Sequence, residues 1–146
     1  MLNAQELSLP HKQLELKDLS VFEKPSSNWI IAGDQFMDAY RDHHIEPREG
    51  WGVLVNTAKG ETPEDLNTRW SHGDLDLELE VMMAKGSNSG IYLQGRYEIQ
   101  LLDSWGVEEP SFSDIGGVYQ WWEDGKGVGG IPPAVNAARP PDYGSI

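Results

Sequence analysis

Three shortages in the sequence limit what this chain can be. It has no cysteine among its 146 residues, so disulfides, thiolate zinc sites and a cysteine nucleophile are excluded. Its 11 lysine and arginine residues are outnumbered by 24 acidic residues, which gives a net charge of −13. This excess argues against unaided binding to nucleic acid or to an anionic membrane surface, because both need clustered cations.

Long apolar runs are also missing. No segment approaches the ~20 apolar residues of a membrane span, and no basic stretch followed by an apolar one marks a signal peptide at the N-terminus. A hydrophobic content of 38%, with 6 Trp and 5 Tyr, is too high for a disordered acidic chain. No repeat or low-complexity linker divides the sequence, so we expect one domain over residues 1–146, with residues 1–18 as an N-terminal extension.

The sequence does contain short apolar segments separated by turns, with 16 glycines and 9 prolines. Strands are predicted at residues 29–33 and 51–56, the second of them a short buried run. The clearest alternation covers residues 74–83, where aliphatic residues are predicted to face a core and acidic residues to face solvent. Residues 91–94 and 96–103 are predicted as strand segments joined by a bulge or bend at Gly95. The chain from residue 104 onwards is loop-rich, and its glycine-rich stretch 127–130 is predicted to be a flexible loop. We therefore expect an all-β sandwich of antiparallel strands.

One face of the predicted strand 96–103 carries the polar residues Arg96, Glu98 and Gln100, and Gln94 joins them if the bend preserves the phase. Rows of amides and charges bind sugars where aromatic side chains lie nearby, although an ordinary solvated sheet face gives the same pattern. Asp103 lies ~16 Å from Glu98 along an extended strand, too far for the carboxylate pair of ordinary glycoside hydrolysis. A turn-capping role is expected for Asp103.

Aromatic and histidine residues outside this row offer weaker signals. Trp105, Trp121 and Trp122 lie in loop-rich sequence and are candidates for an aromatic rim, although core packing explains any one of them. His72, next to a turn and near Trp70, lacks metal-ligand spacing to the other histidines, so structural placement competes with a catalytic or metal role. The acidic residues of 74–80 would be ~6.6 Å apart on a straight strand, which does not wrap an ion. No cofactor is predicted, and a metal requirement stays open.

Residues 86–104 resemble the signature of the 3-keto-disaccharide hydrolase family; they read GSNSGIYLQGRYEIQLLDS. Residues 51–56, 72–80, 116–119 and 132–141 are also similar, so the resemblance runs from about Leu19 to the C-terminus. It implies a concanavalin A-like jelly roll with a sugar site on its concave face. It also implies cleavage of the glycosidic bond of a 3-keto-glycoside or 3-keto-disaccharide, whose C3 ketone is made by a partner sugar 3-dehydrogenase. A periplasmic or extracellular location is favoured by the same resemblance.

The resemblance implies that Glu98 is the base that removes the C2 proton before elimination, or a carboxylate that orients the substrate. Residues expected to bind substrate are Arg96, Gln100, Gln94, Asn88, Asn136, Trp105 and His72. Of these, Arg96, Gln100 and Asn136 would donate to sugar hydroxyls or to the developing oxyanion, and Asn88 shapes the turn or contacts substrate. The alternatives are a non-catalytic carbohydrate-binding module that uses the same face and an assembly subunit.

Members of that family continue past the Arg-Pro-Pro segment into further strands, whereas this sequence ends at Ile146. An incomplete jelly roll leaves unpaired sheet edges. We therefore expect either that the sequence is truncated or that a second copy or a complementing chain covers them.

Overall fold

The computed structural model describes residues 11–57 and 64–134. Every strand pair in it is antiparallel, and these residues contain no helix. The strands are β1 (Phe22–Glu23), β2 (Trp29–Met37), β3 (Ile45–Asn56), β4 (Asn67–Thr68), β5 (Asn88–Leu93), β6 (Tyr97–Leu102), β7 (Trp121–Glu123) and β8 (Lys126–Val128). The all-β, jelly-roll-like class expected from the sequence is confirmed. No helix suited to crossing a membrane occurs in the part of the chain that the structure describes.

The longest hairpin joins β2 to β3 and is longer than the sequence predicts at both strands. Its register shifts between Ala32 and Asp34, where Gly33 meets Gly50. A Cβ atom on Gly50 would lie 2.7 Å from the Gly33 Cα, so this close approach of two backbones requires glycine at both positions. Pro47 is tolerated in β3 because, among the described strands, β3 pairs with β2 alone and so has the character of an edge strand.

The buried core is small. Its apolar members are Phe22, Ala32, Met37, Val55 and Ala84. The predicted strand 51–56 forms as part of β3, but its Trp51 is 61% exposed and only Val55 is buried. The burial expected for this segment is therefore correct only at its C-terminal half.

Strands β5 and β6 form the hairpin that carries the family-like signature. Their register runs from Asn88 opposite Leu102 to Leu93 opposite Tyr97. The sheet continues beyond β6, because Val118 bridges Ile99 on one side and Ile131 on the other.

A tight turn, not a bulge, separates β5 from β6. Gln94 (φ 54°) and Gly95 (φ 63°) both adopt the left-handed conformation, and the Arg96 N–H donates to the Leu93 carbonyl at 3.1 Å. Such conformations reverse the chain in hairpins. The bulge predicted at Gly95 is therefore wrong, because the two strand segments pair with each other instead of forming one bent strand.

A second tight hairpin lies in the region predicted as loop. Strands β7 and β8 pair through Glu123 and Lys126, and the intervening Asp124 and Gly125 have φ values of 49° and 75°. An Asp-Gly pair is a strong signal for this two-residue turn. The prediction of a flexible loop from residue 127 is thus wrong where β8 extends to Val128.

The segment with the clearest alternation, residues 74–83, is not a strand in the structure. Its acidic residues are exposed as expected, but its aliphatic residues are exposed too, from 39% at Leu75 to 51% at Leu77. The expectation that the leucines face a core is wrong, because no described residue forms a ladder with this backbone.

Candidate functional site

The hairpin of β5 and β6 places Glu98 in a row of polar side chains. Side chains alternate between the two faces of a strand, and directly opposite residues share a face. Glu98 is opposite Tyr92, and Gln100 is opposite Gly90. Glu98 and Gln100 therefore share the face that the sequence predicts.

The carboxylate of Glu98 accepts a hydrogen bond at one oxygen, and its other oxygen lies against Gly90. The Tyr92 hydroxyl donates to Glu98 Oε2 at 2.9 Å, and no donor from the described residues bonds the other oxygen, Oε1. The carboxylate lies over Gly90, where an added Cβ would come within 2.9 Å of Glu98 Cδ. Glycine at position 90 thus provides the space that this carboxylate occupies.

The phenol of Tyr92 stays protonated in this arrangement. Its hydrogen bond to Glu98, followed by partial burial and the charge of the same carboxylate, raises the pKa of Tyr92 above its usual value. A protonated phenol can only donate to the carboxylate that it touches. Tyr92 therefore orients Glu98 without competing for a proton that Glu98 would accept.

Gln100 is the most firmly fixed residue of the row. It is 4% exposed, and its backbone bonds to the next segment through the Gly117 carbonyl and the Gly116 N–H, both at 2.8 Å. Its side-chain Nε2 donates to Asn88 Oδ1 at 3.0 Å. This bond uses the Oδ1 acceptor of the exposed Asn88, and no described residue accepts from its Nδ2 donors.

A second tyrosine borders Glu98 from the other side. The Tyr119 N–H donates to the Glu98 carbonyl at 2.8 Å, which makes Tyr119 the cross-strand neighbour of Glu98 on the same face. Phe112 packs edge-on against the Tyr119 ring, with 5.6 Å between ring centroids. Aromatic residues therefore stand opposite Glu98 on both neighbouring segments, an arrangement that is common in ligand-binding sites.

Two of the predicted substrate-binding residues lie elsewhere, in a cleft of about 340 Å³ at the hairpin turn. This cleft is lined by His72, Gly73, Asp74, Leu75, Leu93, Gln94 and Tyr97. The Gln94 Nε2 donates to the Gly73 carbonyl at 3.0 Å, so Gln94 does not join the face of Glu98. That expectation fails because the turn at residues 94–95 reverses the chain.

His72 bonds to the backbone in this cleft. Its Nδ1 lies 2.9 Å from the Gly73 carbonyl oxygen, which can only accept, so Nδ1 is the donor in this contact. The ring also packs edge-on against Trp70, with centroids 6.0 Å apart.

The remaining predicted residues are dispersed. Arg96 lies in the turn and is exposed, since β6 begins at Tyr97. Trp105 is 47% exposed in a turn beyond β6, and Asn136 falls outside the described residues. Asp103 does cap a turn, because its Oδ2 accepts from the Gly86 N–H at 2.9 Å; this prediction is confirmed.

The sequence reasoning missed Gly90, Tyr92 and Tyr119. Tyr92 and Gly90 lie two residues apart in β5, as do Glu98 and Gln100 in β6, so pairing the two strands across a turn would have found both. Within residues 11–57 and 64–134, no group of three or more histidine, aspartate or glutamate residues is placed to hold a metal ion.

Residues 18–143 match the family model of the 3-keto-alpha-glucoside-1,2-lyase-like domain. Because this match covers most of the chain, the protein belongs to that family, and the resemblance stated from the signature is confirmed. Membership supports a carbohydrate-related role in the cleavage of glycosidic bonds. Neither the curated proteins nor the solved structures contain a significant match to the chain.

Proposed function

We propose that this member of the 3-keto-alpha-glucoside-1,2-lyase-like domain family cleaves the glycosidic bond of 3-keto-glycosides or 3-keto-disaccharides, with Glu98 as the general base. The observation that carries the proposal is the carboxylate of Glu98, which Tyr92 orients through Oε2 while Oε1 accepts no hydrogen bond from the described residues. A base of this kind suits a reaction that begins with removal of one proton.

The proposed reaction starts at C2 of the sugar. The ketone at C3 acidifies the C2 hydrogen, so Glu98 Oε1 takes that proton and the electron pair moves into the C3 enolate. The enolate then re-forms the ketone, a C1–C2 double bond forms, and the bond from C1 to the leaving oxygen breaks. The leaving oxygen takes a proton, and addition of water across C1–C2 gives the free 3-keto-sugar.

The neighbouring side chains have distinct proposed roles. Tyr92 positions the base, and Gln100 positions Asn88, whose Nδ2 is a donor suited to a sugar hydroxyl or the enolate oxygen. Gln100 acts through Asn88 because it is itself buried. Arg96, Asn136, Trp105, Gln94 and His72 remain proposed contacts for the parts of the substrate farther from C2.

The test is turnover of a 3-keto-glucoside followed by proton NMR. Wild-type protein is expected to release free 3-keto-glucose or the unsaturated intermediate, and to react more slowly when the substrate carries deuterium at C2. Glu98→Gln is expected to lose turnover by ~10²-fold or more, the usual contribution of a general base. Glu49→Gln, which changes an exposed carboxylate of β3, is the matched control.

Three results would contradict this proposal. Full turnover by Glu98→Gln would remove Glu98 from the reaction. Sugar binding without conversion of any keto substrate would favour the carbohydrate-binding module. A stable oligomer that binds no sugar would favour the assembly subunit.

A further inference from the structure

The hairpin of β7 and β8 continues the sheet that carries Glu98. Val118, which bridges β6, also pairs with Ile131. Trp121, three residues further along the chain, pairs with Val128, three residues before Ile131. Both pairs therefore have one register, and β7 continues in line from the segment that lies beside β6.

Trp121 lies on the same face of this sheet as Glu98. The bond from the Tyr119 N–H to the Glu98 carbonyl places Tyr119 directly across from Glu98. Because successive side chains of a strand point to opposite faces, Trp121 shares the face of Tyr119, and Trp122 lies on the other face. Diagonal neighbours in a sheet are about 7–8 Å apart. Trp121 is therefore one diagonal step from the proposed base.

Two contacts fix the orientation of the Trp121 ring. Its Nε1 donates to Glu123 Oε1 at 2.9 Å. The ring also lies against Gly129, where an added Cβ would come within 2.7 Å of three of its carbon atoms. The residue is still 45% exposed. A ring that is oriented before a ligand arrives loses little conformational freedom on binding.

The Trp121 ring and the Glu123 carboxylate together suit a sugar. An aromatic ring can pack against the apolar C–H face of a pyranose, and a few polar groups beside it fix the orientation of the ligand. The carboxylate of Glu123 is exposed next to the indole N–H and can accept hydrogen bonds from sugar hydroxyls. A flat aryl group would use the ring but not the carboxylate, so the pair favours a sugar ring.

We propose that Trp121 and Glu123 form the subsite for the leaving sugar of a 3-keto-disaccharide. The inference rests on the proposed function, in which Glu98 acts at C2 and Asn88 is suited to the oxygen at C3. Asn88 lies in β5, on one side of β6, and Trp121 lies on the other side. Since C1 and C3 flank C2, a sugar whose C3 points towards β5 directs C1 and its leaving group towards Trp121.

The test compares two substrates with the same keto ring, followed by proton NMR with the full chain. One is 3-keto-maltose, whose leaving group is glucose, and the other is methyl 3-keto-α-glucoside, whose leaving group is methanol. Trp121→Ala is expected to lower kcat/KM for 3-keto-maltose about tenfold, the effect of losing one aromatic contact. Glu123→Gln, which keeps an acceptor for the indole N–H, should lower it about threefold. Neither variant should change kcat/KM for the methyl glycoside.

Trp122→Ala is the matched control, because Trp122 is the neighbouring tryptophan on the opposite face. It is expected to leave kcat/KM unchanged for both substrates. Trp121 and Trp122 are 45% and 66% exposed, so both alanine variants are expected to fold. Turnover of the methyl glycoside also reports whether the site around Glu98 is intact in each variant.

Three outcomes would overturn the subsite. Full turnover of 3-keto-maltose by Trp121→Ala or Glu123→Gln would remove that residue from binding of the leaving sugar. Equal losses for both substrates would assign the effect to the keto ring or to folding. An equal selective loss in Trp122→Ala would show that the face of Glu98 is not what matters. Failure of the wild-type protein to convert either substrate would instead refute the proposed function on which the subsite rests.

Discussion

Replacing Gly90 with alanine is expected to separate activity from stability. The added Cβ would lie closest to Glu98 Oε1, with Glu98 Cγ at 2.8 Å and Glu98 Cδ at 2.9 Å. Ordinary contacts between carbon atoms are about 3.5–4.0 Å, so Cδ must move by at least about 0.6 Å and Oε1, which lies closer, must move farther. The backbone at Gly90 is not left-handed, so alanine can adopt the same backbone conformation. The substitution therefore displaces the side chain of Glu98 without distorting β5.

The two effects of this substitution have different magnitudes. A displaced base and a broken bond to Tyr92 should lower kcat/KM by roughly 10- to 100-fold, since misplacement by about 1 Å can cost that much. Stability should change by less than about 1 kcal/mol. The reason is that the ~0.4–1 kcal/mol gained from a less flexible unfolded chain offsets the ~0.5–1.5 kcal/mol of one exposed hydrogen bond.

The assay combines turnover of a 3-keto-glucoside with a thermal melt. For a chain of this length, 1 kcal/mol corresponds to roughly 2–4 °C in Tm, so Tm should stay within that range of the parent value. Ser89→Ala, on the opposite face of β5, is the control and should leave kcat/KM unchanged. The double variant Gly90→Ala/Glu98→Gln should have the same kcat/KM as Glu98→Gln alone, because both substitutions act on one carboxylate. Full activity of Gly90→Ala would refute the reasoning.

Three further predictions concern Tyr92 and two glycines. In ultraviolet titration, one tyrosine should ionise later than the others and return to ordinary behaviour in Glu98→Gln. Because the folded pKa of Tyr92 is raised, its stabilising effect should be complete below the usual tyrosine value, about 10, and lost as pH rises through the folded pKa. Gly33→Ala should lower urea stability by about 1–3 kcal/mol, because its Cβ would lie 2.8 Å from the backbone oxygen of Glu49; an unchanged midpoint would contradict this. Gly125→Ala should lower the free energy of unfolding by about 1–2 kcal/mol, because alanine is unfavourable at φ 75°. Amide hydrogen exchange in β7 and β8 should become faster, and unchanged exchange would contradict this prediction.

Local sequence signals located the central strands but not their full length. Apolar runs at residues 29–33 and 51–56 predicted the middle of the longest hairpin. The strands extend to Met37 and back to Ile45 because pairing continues through polar residues, such as Gln35 opposite Pro47. Backbone pairing of this kind leaves no apolar periodicity to detect.

The alternation of apolar and polar residues predicted which side chains share a face, but it did not predict which strands pair. Residues 74–83 have the strongest period-two pattern in the sequence, yet no described strand pairs with them. The pattern reports which side chains share a face, whereas a sheet also needs a neighbouring backbone at the right distance. Whether such a neighbouring strand is present depends on the whole fold or on a partner. A short stretch of sequence does not determine it.

The candidate site shows how one turn decides what a sequence reveals. Period two alone placed Glu98 and Gln100 on one face, and the structure agrees. Their neighbours Tyr92 and Gly90 depend on the register of β5 against β6, which the turn at Gln94–Gly95 sets. If Gln94 and Gly95 are interpreted as a bulge, Glu98 is an isolated carboxylate on a polar strand. Reading them as a turn brings the Tyr92 phenol and Gly90 to the same carboxylate: the phenol orients the base, and the glycine provides the space that the carboxylate occupies.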